Sequence, residues 1–127
     1  MRIPLVLYGV SLCVCLVPVV SAQDAAKVAS QQYTVVSENN QVRILKVHYG
    51  PHEKSAMHSH PASVVVFLTN GKSQFTSPDG KTQDVDTKAG ESLYEAPTIH
   101  SVENLGDTPT DAILIELKGK SGKMAKK

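Results

Sequence analysis

Two histidines, His58 and His60, stand one residue apart just before the apolar run Val64-Val65-Val66-Phe67. In an extended strand alternate residues point to the same face, so their imidazoles converge. His100 opens a later β-prone stretch, residues 100–104, and a neighbouring strand of a closed barrel brings it onto the same site. Three neutral imidazoles make a half-open site for a divalent transition metal, with positions left for water or substrate. Imidazole accepts Fe²⁺, Mn²⁺, Ni²⁺, Cu²⁺ or Zn²⁺, so the identity of the ion stays open. Spacing alone also fits two hydrogen-bonded surface histidines. His48 and His52 share the parity of the pair, but the Gly50-Pro51 break separates them from it, and His52 reads as a loop histidine. Glu53 and Glu95 are the carboxylates that could reach the rim of such a site, or remain solvated side chains.

The elements that must position these residues are short strands. Runs rich in β-branched and aromatic residues occur at 32–38, 41–49, 63–69, 72–77, 82–86, 92–96, 100–104 and 111–117. Between them lie breakers such as Asn39-Asn40, Asn70-Gly71, Asp79-Gly80 and Ala89-Gly90. Asn-Gly and Asp-Gly supply the positive φ that tight hairpin turns need. No helical period follows residue 32, and only Asp24 to Gln31 could form a helix, so the expectation is an all-β barrel or sandwich.

Composition bounds the function. The chain has 127 residues, thirteen Lys+Arg against twelve Asp+Glu, no Trp and two Cys. That length suits one domain, and the balanced charge argues against nucleic-acid binding. Residues 1–22 read as a secretory signal peptide: Arg2, an apolar stretch through Val20, and small residues ending at Ala22. Removing them takes both cysteines and one arginine and leaves twelve basic and twelve acidic side chains. The expectation is a periplasmic or secreted protein with no stable membrane insertion after cleavage and no disulfides, held together by its core. Residues 23–31 form a short lead-in, 32–117 the folded domain, and 118–127, with five lysines, a basic tail.

The stretch from Gly50 to Gly71 resembles the first motif of the cupin superfamily: a glycine, H-x-H, a glutamate four residues on, and a further glycine. The stretch from Gly90 to Asn104 resembles the second, with its glycine, proline, histidine and asparagine. The resemblance, to small type-2 and quercetin-dioxygenase-like members, implies a single-domain jelly-roll β-barrel, or double-stranded β-helix, with a metal pocket inside and frequent dimerisation. It matches His58, His60 and His100 to the three histidine ligands, Gly71 and Gly90 to turns, Pro97 to the proline and Asn104 to the asparagine.

Where the family usually places its glutamate, four residues after His60, this chain has Val64. Counting by twos from His58 sets Ala62, Val64, Val66 and Leu68 on the inward face, with Val64 against the metal. Tyr94 is expected on a strand that lines the barrel, so Val64, Val66, Leu68 and Tyr94 are the expected pocket lining. By the same count Val65 and Phe67 face outward, and an exposed apolar row needs a cover, which predicts a homodimer or packing by the N-terminal strands. The expected function is metal binding with a small-molecule ligand or substrate. This reading extends to an oxygenase like the three-histidine dioxygenases of the superfamily; the alternative is a non-catalytic ligand-binding or metal-sensing barrel.

Overall fold

A computed structural model describes residues 23–119; the expected leader and the tail from residue 120 on lie outside the described residues. The chain runs α1 (Ala25–Val28), β1 (Tyr33–Glu38), β2 (Val42–Tyr49), β3 (His58–His60), β4 (Ser63–Phe67), β5 (Gly71–Thr76), β6 (Thr82–Thr87), β7 (Ser92–Glu95), β8 (Thr98–Asn104) and β9 (Thr110–Leu117). These strands make two antiparallel sheets, β1-β2-β9-β4-β7 and β3-β8-β5-β6.

The predicted turn chemistry is present. The Asn39 side chain accepts from the amides of Gln41 and Val42 at 2.8 and 2.9 Å and closes the β1–β2 turn. Gly80 at φ +85° closes the β5–β6 hairpin, where Asp79 accepts from the Lys81 amide at 3.1 Å. Gly71 is a glycine for a different reason: a Cβ there would lie 2.5 Å from Cγ2 of Thr110.

Strand alternation fills the interior. Along β9, Ala112, Leu114 and Glu116 are buried while the residues between them are partly exposed. Leu45, Val65, Leu114, Val102, Tyr33 and Tyr49 join the buried Ala25 and Ala29 of the N-terminal segment in one core.

Two corners determine where the site lies. At Pro61-Ala62 the chain leaves the β3–β8 sheet and enters the other as β4; at Ala96-Pro97 it returns, from β7 to β8. Proline suits both positions because it donates no ladder hydrogen bond. The first corner overturns the parity count made from His58. Ser63 and Val65 are the buried residues of β4, and Val65 and Phe67 face the barrel interior, whereas Val64 and Val66 alternate to the outer face and are partly exposed. Tyr94 pairs directly opposite Val64 and shares that outer face at 63% exposure, and Leu68 is 49% exposed. The expected lining by Val64, Val66, Leu68 and Tyr94 is therefore replaced by one from Val65, Phe67, Leu93 and Glu95. The physical reason is that two residues cross between sheets, so β3 and β4 are not one continuous pleat.

Candidate metal centre

β3 and β8 pair antiparallel with His58 directly opposite His100, and His60 follows on the same face. All three histidines are buried, and one ligand nitrogen from each lies within 4.8 Å of the others. The ring centroids are 4.8 Å apart for His58–His60, 5.0 Å for His58–His100 and 5.5 Å for His60–His100.

Each ring is held from outside the cluster. Nδ1 of His58 lies 2.7 Å from the Ala56 carbonyl, which can only accept, so Nδ1 carries the proton and Nε2 is a free lone pair. That Nε2 is buried with no hydrogen-bond partner among the described residues. A buried polar nitrogen without a partner is costly unless something binds it, and a metal ion fits the three-nitrogen set around it. Nδ1 of His60 lies 3.0 Å from Oε1 of Glu116. His100 packs edge-on against Phe75 with ring centroids 5.2 Å apart, and Tyr33 lies against both His58 and His60.

Burial fixes the protonation states. His58 is pushed down to about 4, chiefly because desolvation penalises its charged form. His100 is pushed down to about 3 by burial and then by its histidine neighbours. Neutral imidazole is the form that binds metal. Tyr33, whose hydroxyl accepts a 3.0 Å hydrogen bond from Tyr49, is held well above the ordinary phenol value by burial. Burial would raise Glu116, but hydrogen bonds from His60 and Arg43 hold it below the ordinary carboxylate value.

Two cavities adjoin the cluster. An inner cavity of about 70 Å³ runs past His60 and Val65 into the barrel, and an outer cavity of about 580 Å³ opens to the surface past Leu93, Lys81 and Thr98. His100, Glu95, Phe67 and Phe75 line both. Glu95 thus stands at the junction, and burial raises its pKa.

The other sequence-level candidates fall outside the cluster. His48 pairs with Asp111 at 2.8 Å and His52, at φ +58° in a turn, with Asp107 at 2.7 Å. Glu53 accepts from the Gln32 side chain and the Gly50 amide and so pins a loop. Asn104 is fully buried and donates to the carbonyls of Gly50 and Thr108 while accepting from the Gly106 amide. Glu116 and Tyr33 belong to the site and were not singled out from the sequence. The one available signal was a glutamate in phase with the buried alternation Ala112, Leu114 of β9.

Two facing antiparallel sheets, joined by paired corners around a histidine cluster, define a small single-domain cupin. The family profile described as "Cupin domain" matches residues 45–116, more than half of the chain, and the protein belongs to that family. Among solved structures, it is similar to a cupin domain protein from Bordetella pertussis, at 27% identity and a TM-score of 0.64, covering 68% of this chain and 92% of that one. It also resembles an uncharacterized conserved protein with a double-stranded β-helix domain from Klebsiella pneumoniae, at 24% identity and a TM-score of 0.57, covering 76% and 86%. A third likeness, an RmlC-like cupin family protein from Methanocaldococcus jannaschii, shares 13% identity at a TM-score of 0.54 over 67% and 77%. The latter two speak to the fold alone. A comparison with proteins of curated function finds no match.

Proposed function

We propose that this protein is an exported cupin that holds one divalent transition-metal ion on His58, His60 and His100 and binds a small molecule at its open positions. The partnerless, buried Nε2 of His58 within a three-imidazole cluster carries this reading. A bound ion would supply Lewis acidity toward a ligand with two adjacent oxygens and, if it is iron, dioxygen chemistry. The residues do the rest. Phe67 and Phe75 offer an apolar wall to the ligand, and burial at the cavity junction lets Glu95 accept a proton from a ligand hydroxyl more readily than a solvated carboxylate would. The size of the outer cavity suits a small organic ligand. A second reading, a non-catalytic ligand-binding or metal-sensing barrel, draws support from Val65, an apolar side chain where the interior wall of β4 faces the cluster.

Export follows from the character of residues 1–22. A second copy as partner follows from the outer sheet face, where Tyr94, Val64, Ile115 and Ile44 lie in register across four strands. This face replaces the Val65–Phe67 row as the reason for a dimer.

The test is metal content by mass spectrometry on protein purified without a histidine tag, beside a His58→Ala/His100→Ala variant. The expected result is about one ion per chain in the first and none in the second; no ion in either, after reconstitution, overturns the proposal. Turnover of a diketone or polyphenol by the loaded protein then separates the enzyme from saturable binding alone.

A further inference from the structure

A polar row crosses the five-stranded sheet behind the histidines. In direct register stand Glu95 on β7, Ser63 on β4, Glu116 on β9 and Arg43 on β2. Register pairs share a face, and this one is turned toward His60. Within it Glu116 is 3% exposed and uses both oxygens: Oε1 accepts from Nδ1 of His60 at 3.0 Å, and Oε2 accepts from Nε of Arg43 at 2.6 Å, with Nη2 also 2.6 Å away. The other nitrogens of Arg43 are not free. Nη1 and Nη2 donate to Oδ2 and Oδ1 of Asp24 at 2.8 and 2.7 Å, a two-pronged pair that a guanidinium plane fits and an ammonium does not.

Asp24 belongs to the N-terminal segment, and that segment touches the ligand strand a second time. The Gln23 carbonyl accepts from the amide of Ser59 at 2.7 Å and from its hydroxyl at 3.1 Å, and Asp24 bridges Ser59 in parallel. Ser59 is the residue between the two histidines. Asp24 also caps α1 through the Ala26 amide at 3.1 Å, and Ala25 and Ala29 anchor the helix in the core. The segment is thus fixed at three points: the core, the backbone between His58 and His60, and a side-chain chain ending on the His60 ring.

We propose that Glu116, Arg43 and Asp24 are positioning residues for the metal centre, and that the docked segment from Gln23 to Ala29 sets its affinity through the orientation and tautomer of His60. A carboxylate only accepts, so Glu116 keeps the proton on Nδ1 and presents Nε2 as the lone pair for metal. Glu116 can remain ionised in a buried place because Arg43 meets its second oxygen. Arg43 in turn is held in plane by Asp24. Loss of any member lets the ring turn or leaves a mixture of tautomers, and the metal then pays for reordering it. This inference rests on the three-histidine reading for its metal readout, and its second readout is independent of metal.

The experiment compares the protein with Glu116→Gln, Arg43→Met, Arg43→Lys and Asp24→Asn variants. Co²⁺ and Zn²⁺ affinities are measured by competition with a chromophoric chelator, and nitrogen-15 spectra of the metal-free protein report the His60 tautomer. The expected losses are about 10- to 100-fold for Glu116→Gln and Arg43→Met, and about 3- to 10-fold for Asp24→Asn, with Arg43→Lys between wild type and Arg43→Met. Asp84→Asn, which alters an exposed hydrogen bond with Gln74 on the other sheet, serves as the control and leaves affinity unchanged. In the wild type His60 is expected as the Nδ1–H tautomer, giving way to a mixture in Glu116→Gln. Arg43→Met could fail to fold, because it strands a buried carboxylate; Asp24→Asn, at a partly exposed position, keeps the chain testable. Wild-type affinity in folded Asp24→Asn overturns the role of the N-terminal segment, and an Nε2–H tautomer of His60 in the wild type overturns the whole chain. If the wild type binds no metal, the metal reading fails, while the tautomer spectra still decide the positioning.

Discussion

Acidification should destabilise the metal-free protein through its own ligand set. His58 and His100 are held down at about 4 and about 3 in the folded protein, whereas in an unfolded chain both titrate near the ordinary value of about 6.5. Above that value both histidines are neutral in either state, and their contribution is constant. As pH falls below it, only the unfolded chain takes up these protons, so folding stability drops by up to about 1.4 kcal/mol per pH unit for each histidine. Between pH 6.5 and 5 this comes to about 2 kcal/mol each, and on the order of 4 kcal/mol for the pair. That is a large part of the roughly 5–15 kcal/mol that holds a domain. Glu95 acts in the opposite direction, because burial raises its folded pKa and its protonation on acidification relieves a cost. Glu116 and Asp24 are held low, by hydrogen bonds from His60 and Arg43 and from Arg43 respectively, and add to the loss only at lower pH, where carboxylates protonate in the unfolded chain. The assay is urea unfolding, followed by circular dichroism with a chelator present, at pH 7, 6 and 5. The wild type should lose most of this stability by pH 5, and a His58→Gln/His100→Gln variant should hold level over the same window. A wild-type stability at pH 5 within about 1 kcal/mol of that at pH 7 would refute the reasoning.

Other outcomes can be checked alongside. Saturating metal at 100 times its dissociation constant should add about 2.7 kcal/mol at pH 7 and steepen the acid loss, since ion and proton compete for the same nitrogens; an unchanged melting temperature on metal addition contradicts this. Val65→Ala should cost about 2 kcal/mol and Val64→Ala about 1 kcal/mol or less by denaturant titration, because only Val65 is buried; equal costs would restore the continuous-strand count. Gly71→Ala should destabilise by about 1–3 kcal/mol, since its Cβ would meet Thr110 at 2.5 Å. Tyr94→Glu/Ile115→Lys should shift a dimer to monomer in light scattering while leaving metal content intact; a wild-type monomer removes the reason for a cover.

Much of the fold was legible because turn chemistry and strand propensity are local. Asn39, Gly80 and the β-branched runs each declare themselves within a few residues, and the two histidine motifs carried the family resemblance. The split between β7 and β8 and the separate strand of His58–His60 were less visible, since both corners consist of only two residues, each pair with a proline. That small detail changed the chemistry of the wall. Whether Val64 or Val65 faces the cluster depends on which sheet the next strand joins, and a period-two pattern of four consecutive apolar residues cannot report it. Glu95 was visible as a rim carboxylate, but its burial at the cavity junction follows from the neighbouring corner.

The sequence by itself determined the chemistry of the cluster: three imidazoles at spacings that strands can bring together. It also determined the class of fold, because strands of this length and turns of this composition admit few arrangements. Only the tertiary structure decided which groups stand behind the ligands. Glu116, Arg43 and Asp24 lie far apart along the chain, and they meet because antiparallel register places their strands side by side and the N-terminal segment folds back onto Ser59. Contacts of that kind depend on register and on the crossing between sheets, which are set by the packing of the whole domain.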